Sequence, residues 1–243
     1  MLEAAPKPSP VDSAFRGCGP AGSPPDRVLN RLKNRVDEGD YIPVPWTVVA
    51  HLPWPRVVGY RFCRRWTKGE RKAVAPYEGA AVRVEGYAAA YKLEVREPPN
   101  CYSPDPSNRD FHLWLSERAR KPEKRSIVVE ITPRVRASHP QWTAQHLAAL
   151  VASRARVRVS GWLMLDQMHP ELVGRNRVTL WEVHPVMRLE WQRADSSWVP
   201  LDSLAPPARA DTVAGGISGG EAAPPHSPDR AKRSRGRRAA REQ

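Results

Sequence analysis

The sequence contains few cysteines, only three among 243 residues. Cys18, Cys63 and Cys101 lie far apart, no Cys-x-x-Cys pair occurs, and no histidine stands at zinc-finger spacing from them. This pattern excludes a cysteine-based zinc module and provides no obvious disulfide framework. We therefore predict that the three cysteines are reduced thiols without a structural role.

Long apolar runs are also absent, and none approaches the roughly 20 residues that a membrane-spanning helix needs. The first residues lack the basic-then-apolar order of a signal peptide, because proline and charge interrupt every candidate core. We predict that the chain has no transmembrane segment. The predicted location is the cytoplasm, or outside it if the true start of the protein lies upstream.

Common catalytic motifs are missing as well. The sequence has no glycine-rich phosphate loop ending in Lys-Ser or Lys-Thr and nothing that resembles His-Glu-x-x-His. Staphylococcal-type nuclease residues cannot be matched onto the chain one by one. The sequence therefore predicts a non-enzymatic binding module that requires no cofactor.

Basic residues are abundant, and the formal net charge is +13. Such a surplus favours polyanionic partners, namely nucleic acid, an anionic membrane surface or an acidic protein. Only eight of the 39 basic residues are lysine, and an arginine-heavy composition is also typical of a GC-rich genome. The most basic run lies in the C-terminal tail, which we predict to contact polyanions or to act as a solubilising tail; its residues are Arg230, Lys232, Arg233, Arg235, Arg237 and Arg238.

Composition divides the chain into four parts. Residues 1–27 and 205–243 are rich in proline, glycine, serine and alanine and have no periodic apolar pattern, so both are predicted to be disordered. Residues 28–76 are predicted to form a short helix, with Leu29, Leu32 and Val36 on one side, followed by an extended strap rich in proline and tryptophan. Residues 77–204 are predicted to form the folded domain.

The first predicted strand of this domain changes its buried parity. Its inward set falls first on even numbers and then on odd ones, which requires one inserted residue. Gly86 and the run from Ala88 to Ala90 are where a bulge would fit. The inward residues are predicted to be Val82, Val84, Tyr91, Leu93 and Val95.

Four strands and one helix are predicted to follow. Alternation predicts strands around Leu113, Val129 and Val159. A Ser138–Gln141 capping box predicts a helix that runs to about Ser153. The last strand is predicted from Val178 to about Val183, interrupted at Pro185, with pairing resuming through Gln192. The remaining inward residues of the strands are predicted to be Phe111, Leu115, Ile127, Ile131, Val157, Leu163 and Leu165, and those of the helix Leu147, Leu150 and Val151.

The predicted order of elements is three strands, one helix and two strands, with a bend in the first strand. This order resembles that of the OB-fold superfamily. The resemblance implies a mainly β chain with a five-stranded Greek-key barrel and one short helix between strands three and four. The chain is also similar to uncharacterised bacterial OB-like proteins that have a histidine in strand two and a Glu-x-His-Pro ending in strand five. The resemblance covers about half of the chain and implies no activity. The residues that carry it are Asp110-Phe111-His112-Leu113-Trp114, Ser160-Gly161-Trp162 with Asp166, and Trp181-Glu182-Val183-His184-Pro185.

The first functional hypothesis is binding of single-stranded nucleic acid. OB barrels commonly bind single strands with aromatic side chains that stack on bases and with cations that contact phosphates. Two observations oppose it, because Glu130 shares the outward face and the strap residues could bury both tryptophans. The predicted contact residues are Trp114, Trp162, Arg134, Arg136 and Arg158.

The second hypothesis is a divalent-metal site, in a metal-binding domain or a metal-dependent hydrolase. Neutral imidazoles and carboxylates are suitable ligands for zinc and related ions. The competing interpretation is that these groups form structural hydrogen bonds. A third hypothesis is a structural or protein-interaction domain whose exposed tryptophans mark a partner surface. The candidate metal ligands are His112, Glu130, Asp166, His169, Glu182 and His184.

Overall fold

Five long strands with alternating apolar residues form the centre of the protein. The computed structural model describes residues 17–55, 66–119 and 125–204. The strands are β1 Ile42–Pro43, β2 Ala81–Leu93, β3 Phe111–Ser116, β4 Ser126–Ile131, β5 Arg156–Leu165, β6 Trp181–Gln192 and β7 Trp198–Pro200. The α-helices are α1 Arg27–Lys33, α2 Trp46–Ala50, α3 Lys68–Val74, α4 Pro133–Arg136 and α5 Ala144–Ala152. The predicted disordered tail from residue 205 and most of the N-terminal one lie outside the described residues.

The strands β2 to β6 close into a barrel. β2 pairs antiparallel with both β3 and β5, β3 pairs antiparallel with β4, β4 pairs parallel with β6, and β6 returns antiparallel to β5. The helices α4 and α5 lie between the third and fourth strands of this barrel. The predicted fold class, a mainly β chain with an OB-like Greek-key barrel, is therefore confirmed. β1 adds to β2 and β7 adds to β6 as short extra strands.

The bend in the first long strand is also confirmed. The pairing of β2 with β3 shifts register between Ala88 and Ala90, where the sequence predicts an inserted residue. Beyond the bulge, Tyr91 packs against the core as predicted, but the prediction is wrong for Leu93 and Val95, which are exposed. Glu94 is buried on the outer face, where its carboxylate contacts His112 of the next strand.

The main helix begins later than the sequence predicts. Thr143, not Ser138, caps α5, since its side chain accepts a hydrogen bond from the backbone N–H of His146 at 3.2 Å. Ser138 instead follows α4, a short helix that Thr132 caps and that Pro133 begins. The helix still buries Leu147 and Leu150, as predicted, while Val151 is only partly buried.

The last barrel strand is continuous, whereas the sequence predicts an interruption at Pro185. β6 runs through this residue, with a cis peptide bond between His184 and Pro185. Its pairing with β5 is irregular around Gly161. A Cβ atom on Gly161 would lie 2.2 Å from the Pro185 carbonyl oxygen and 2.7 Å from Val183 Cγ1, so only glycine fits there.

Replacing Gly161 by alanine should therefore destabilise the barrel. We expect a loss of about 1–3 kcal/mol in the free energy of unfolding, the usual cost of forcing extra volume into a packed position. Gly69→Ala is the matched control, because a Cβ on the helical Gly69 would make only an ordinary contact with Thr67 Oγ1 at 3.8 Å and alanine is the better helix former. Urea denaturation of both variants checks this. Equal stability of the two would mean that the close approach is not tight.

The N-terminal helix turns polar residues towards the protein. The sequence predicts an apolar side at Leu29, Leu32 and Val36, but Leu32 and Val36 are exposed, while Asn30 and Asn34 are buried. The Asn34 side-chain amide donates to the carbonyls of Pro20 at 3.0 Å and Pro99 at 2.8 Å. Hydrogen bonds to backbone carbonyls, and not apolar packing, therefore fix this helix on the barrel.

Two cysteines form a disulfide bond. Cys18 and Cys101 are joined with a Cα–Cα distance of 5.8 Å. The prediction of reduced thiols is wrong for this pair; Cys63 lies outside the described residues. The pairing could not be seen in the spacing because 83 positions separate the two residues, and only the fold brings the segment before α1 against the turn at Pro98–Asn100.

The predicted strap is partly helical and covers the barrel. The Trp46 indole N–H donates to the Leu115 carbonyl at 2.8 Å, so this tryptophan packs on the barrel as predicted. Trp54 is exposed and Trp66 is buried. Every residue of β3 and β4 is buried, including those that alternation predicts to face outward. In the described ranges, no helix is long and apolar enough to cross a membrane.

Candidate functional site

Histidines and carboxylates collect on the outer face of β3, β4 and β6. The inward residues of these strands are apolar, so the alternate positions carry the polar side chains to the opposite face. His112 is the cross-strand partner of Glu130 between β3 and β4, and Glu182 is the cross-strand partner of Val128 between β6 and β4. Glu182 and His184 are two apart on β6 and so share this face. Because the outer face is covered, the charged groups are buried.

A continuous chain of contacts begins at the surface. Lys92 Nζ lies 2.6 Å from Glu94 Oε1, and the same oxygen is 2.9 Å from His112 Nδ1. His112 Nε2 lies 2.7 Å from Glu130 Oε1, and Glu130 Oε2 is 2.7 Å from His184 Nδ1. Two imidazoles and two carboxylates thus alternate across three strands.

The chain continues from His184 to the other side of the site. Glu182 Oε1 lies 3.3 Å from His184 Nδ1, and its second oxygen is 3.6 Å from Arg177 Nη1. Arg177 Nη1 pairs with Asp166 Oδ2 at 2.7 Å, and the same oxygen is 2.9 Å from His169 Nδ1. His169 is about half exposed, so the network again reaches the surface there.

The carboxylates keep both central imidazoles protonated. Burial alone would lower the pKa of His112, but Glu130 and Glu94 raise it to about 10. Burial also lowers the pKa of His184, but Glu130 raises it, to about 9. In return, His112 and Lys92 overcome the burial of Glu94 and hold its pKa at about 2.

Negative charge is nevertheless in surplus. Burial and the neighbouring Glu130 raise the pKa of Asp110, and burial with Glu130 and Asp166 raises the pKa of Glu182. Burial with Glu130 and Asp110 raises the pKa of Glu97 to about 7, against the opposing effect of Lys33. Against its burial, His112, His184 and Lys33 hold the pKa of Glu130 well below the ordinary value, so the nearby positive charge suffices for Glu130 but not for the carboxyl groups around it.

Three of these residues have donor atoms close enough to hold one metal ion. One ligand atom each from Asp110, Glu130 and His184 lie within 4.8 Å of one another, and all three side chains are buried. Among the described residues, no aligned hydrogen bond satisfies Asp110 Oδ2, Glu130 Oε2 or His184 Nε2. Glu130 Oε2 is near His184 Nδ1, but the two atoms lack hydrogen-bond alignment.

The remaining polar atom of each of these side chains contacts another polar group, although the contact of His112 Nε2 with Glu130 Oε1 also lacks hydrogen-bond alignment. Asn100 donates to Asp110 Oδ1 at 2.8 Å, His112 Nε2 is near Glu130 Oε1, and Glu182 Oε1 is near His184 Nδ1. Such outer contacts orient ligand side chains in metal sites. The arrangement therefore leaves one oriented atom per residue for an ion, and His184 has to lose its Nε2 proton before that atom can bind the ion.

The structure brings most of the predicted metal ligands together. His112, Glu130, Glu182 and His184 are contiguous, while Asp166 and His169 lie beyond Arg177 at the far end of the network. Asp110 was not predicted as a ligand. It stands two residues before His112, so the period of a strand was the signal that could have placed it on the same face.

The predicted nucleic-acid contacts are mostly covered. Trp114 is 4 % exposed and Trp162 is 9 % exposed, and the Arg35 guanidinium lies 3.2 Å from the ring centroid of Trp162. Arg134 is buried and donates to the Cys18 carbonyl. The last two arginines are partly buried: Arg136 packs over Phe111, and Arg158 is paired with Glu85.

No model of a known protein family matches the chain, and no protein of curated function matches it. The site is therefore interpreted from its own chemistry.

Proposed function

We propose that this protein is an OB-like binding module that holds a divalent metal ion with Asp110, Glu130 and His184. The observation that carries the proposal is that the two polar atoms of each side chain have different surroundings. One polar atom contacts Asn100, His112 or Glu182, and a second, buried atom has no aligned partner among the described residues. A buried polar atom without a partner costs roughly 1–3 kcal/mol, so three at one place favour a missing ligand.

The charge of the cluster supports a cation. A divalent ion would offset the burial of charge and the repulsion by Glu130 that together raise the pKa of Asp110 and Glu182. One imidazole nitrogen and two carboxylate oxygens are donors that zinc and manganese accept. Such an ion is able to activate water, and hydrolase activity is the narrower form of this proposal.

Metal titration tests the proposal. We expect the protein, purified without a histidine tag and stripped with chelator, to bind one zinc or manganese ion per chain in isothermal calorimetry. Asp110→Asn should weaken binding more than tenfold, whereas Asp105→Asn, at an exposed acid of the adjacent loop, should not change it. Asn100→Ala removes an outer contact and should cost about 10–100-fold in affinity.

Two outcomes would contradict the proposal. The first is a protein without stoichiometric metal whose melting temperature is unchanged by either ion. The second is equal metal affinity of Asp110→Asn and Asp105→Asn, which would place binding elsewhere on the chain.

Binding of single-stranded nucleic acid stays a prediction. For Trp114 and Trp162 to stack on bases, the segments that bury them would have to move aside. The basic residues from Arg230 to Arg238 lie outside the described residues, as does any contact they make.

A further inference from the structure

A cavity of about 340 Å³ opens beside the charged network. It lies between α1, residues 95–99 and the loop after β5 at residues 165–169. Its walls are mostly apolar, and three of its apolar residues, Val95, Tyr102 and Met168, are exposed by about half or more. Cavities of this size with apolar walls and a few polar groups commonly bind small molecules. The other apolar residues that line it are Pro25, Leu29, Pro98, Pro99 and Leu165.

Three charged residues that line this cavity, Lys33, Arg96 and Glu97, make no ion pair within 4.0 Å in the described part of the chain, and Arg96 is exposed to solvent. Across the described ranges, the ammonium of Lys33 makes neither a hydrogen bond nor an ion pair within 4.0 Å. Glu97 Oε2 is buried and also has no hydrogen-bond partner there. Both residues line the cavity, one from α1 and the other from the opposite wall, and they do not pair with each other.

Other acids of the lining are already satisfied. Asp166 pairs with Arg177 and His169. Asp26 caps α1 by accepting a hydrogen bond from the backbone N–H of Leu29 at 2.9 Å. The groups left to a ligand are therefore the Lys33 ammonium, the Glu97 carboxyl group and an apolar wall, together with the solvent-exposed guanidinium of Arg96.

We propose that this cavity binds a small zwitterion with an apolar side group, of the class of the aromatic and large aliphatic α-amino acids. The ligand carboxylate pairs with Lys33, the ligand ammonium pairs with Glu97, and the side group packs against Leu29, Val95 and Met168. A net-neutral ligand suits this place, since an anion would meet the carboxylates of the network and a cation would meet Lys33.

The charge states of the two protein groups agree with this assignment. Burial lowers the pKa of Lys33, but Glu130, Glu182, Glu97 and Asp166 together raise it above the ordinary value, so the amine stays charged. An ammonium beside Glu97 would favour the ionised form of that carboxyl group. The site is separate from the three metal-ligand atoms, none of whose residues lines the cavity.

Calorimetry with the full chain and a matched set of probes tests this inference. L-phenylalanine should bind in a saturable 1:1 manner. 3-Phenylpropanoate lacks the ammonium, 2-phenylethylamine lacks the carboxylate, and glycine lacks the apolar group; each should bind at least tenfold more weakly than L-phenylalanine. Zinc affinity is measured in parallel, so that failure of metal binding and failure of this cavity are distinguished.

Two variants assign the contacts. Lys33→Met should weaken L-phenylalanine and 3-phenylpropanoate at least tenfold and leave 2-phenylethylamine unweakened, and Glu97→Gln should show the reverse selectivity. Lys72→Met, at an exposed lysine of α3, is the control and should bind all probes as the parent does. Melting curves confirm that each variant is folded.

Three results would overturn the inference. One is the absence of L-phenylalanine binding by the folded parent protein. Another is binding of either single-charge analogue as tightly as the zwitterion. The third is unchanged L-phenylalanine affinity in folded Lys33→Met, which would leave Lys33 only as a counter-ion of Glu130 and Glu182.

Discussion

Replacing Cys18 and Cys101 together by serine is expected to lower the free energy of unfolding by roughly 4 kcal/mol. The bond closes a loop with a sequence separation of 83 residues, and the chain-entropy model assigns a loop of this length a stabilisation of about 4–5 kcal/mol. This is a large share of the roughly 5–15 kcal/mol that holds a typical domain together. The double variant should therefore be close to unfolding at moderate urea concentrations.

Urea denaturation of the oxidised parent, the double variant and Cys63→Ser provides the measurement. The Cys63→Ser control keeps both bonded cysteines and should lack this large loss. Because the chain has three cysteines, the denatured parent should show one titratable thiol before reduction and three after it. Three thiols before reduction, or equal stability of the parent and the double variant, would contradict the assigned bond.

The same bond joins the N-terminal segment to the turn that positions one candidate metal ligand. The Cys18 carbonyl accepts a hydrogen bond from Arg134, and Asn100, next to Cys101, orients Asp110. Loss of the bond should therefore loosen both the N-terminal segment and one ligand. Disulfides of this kind persist in oxidising compartments.

The barrel could be predicted because its signal is local. Alternating apolar residues mark each strand, and the change of parity in β2 placed the bulge that pairs with β3. The polar face of the site was predictable for the same reason, since a period of two fixes which side His112 and Glu130 share.

What could not be predicted depends on contacts between distant segments. Alternation shows that Trp114 and Glu94 face outward, but it cannot show which outward positions another segment covers, and both residues are buried. The amphipathic rule failed for α1 because Asn30 and Asn34 fix that helix by hydrogen bonds. The partnership of Asp110 with His184 likewise depends on a parallel pairing of β4 with β6.

Replacing Glu130 by glutamine is expected to lower the free energy of unfolding by about 3 kcal/mol near neutral pH. Glu130 is the carboxylate between two buried imidazoles, and removing one partner of a buried ion pair typically costs about 3–5 kcal/mol. The lower end of this range applies because the change also relieves repulsion with Asp110 and Glu182.

Glu85→Gln is the matched control for this change. Glu85 pairs with Arg156 and Arg158 on the barrel surface, where its side chain is 35 % exposed. Exposed ion pairs contribute only about 0–1 kcal/mol. Each carboxylate has two partners, but only Glu130 is buried. The difference between the two losses in the free energy of unfolding, measured by urea denaturation, therefore gives the effect of burial on such a carboxylate.

The pH dependence separates loss of charge from loss of packing. The folded pKa of His112 is raised from 6.5 to about 10, so its contribution is fully present below about pH 6.5 and is lost as the pH rises towards 10. The parent should lose stability across this interval, whereas Glu130→Gln, in which the imidazole has lost its main carboxylate, should change less. Equal slopes for the two proteins would mean that Glu130 stabilises the site through shape alone, and a cation would then have no surplus of charge to neutralise.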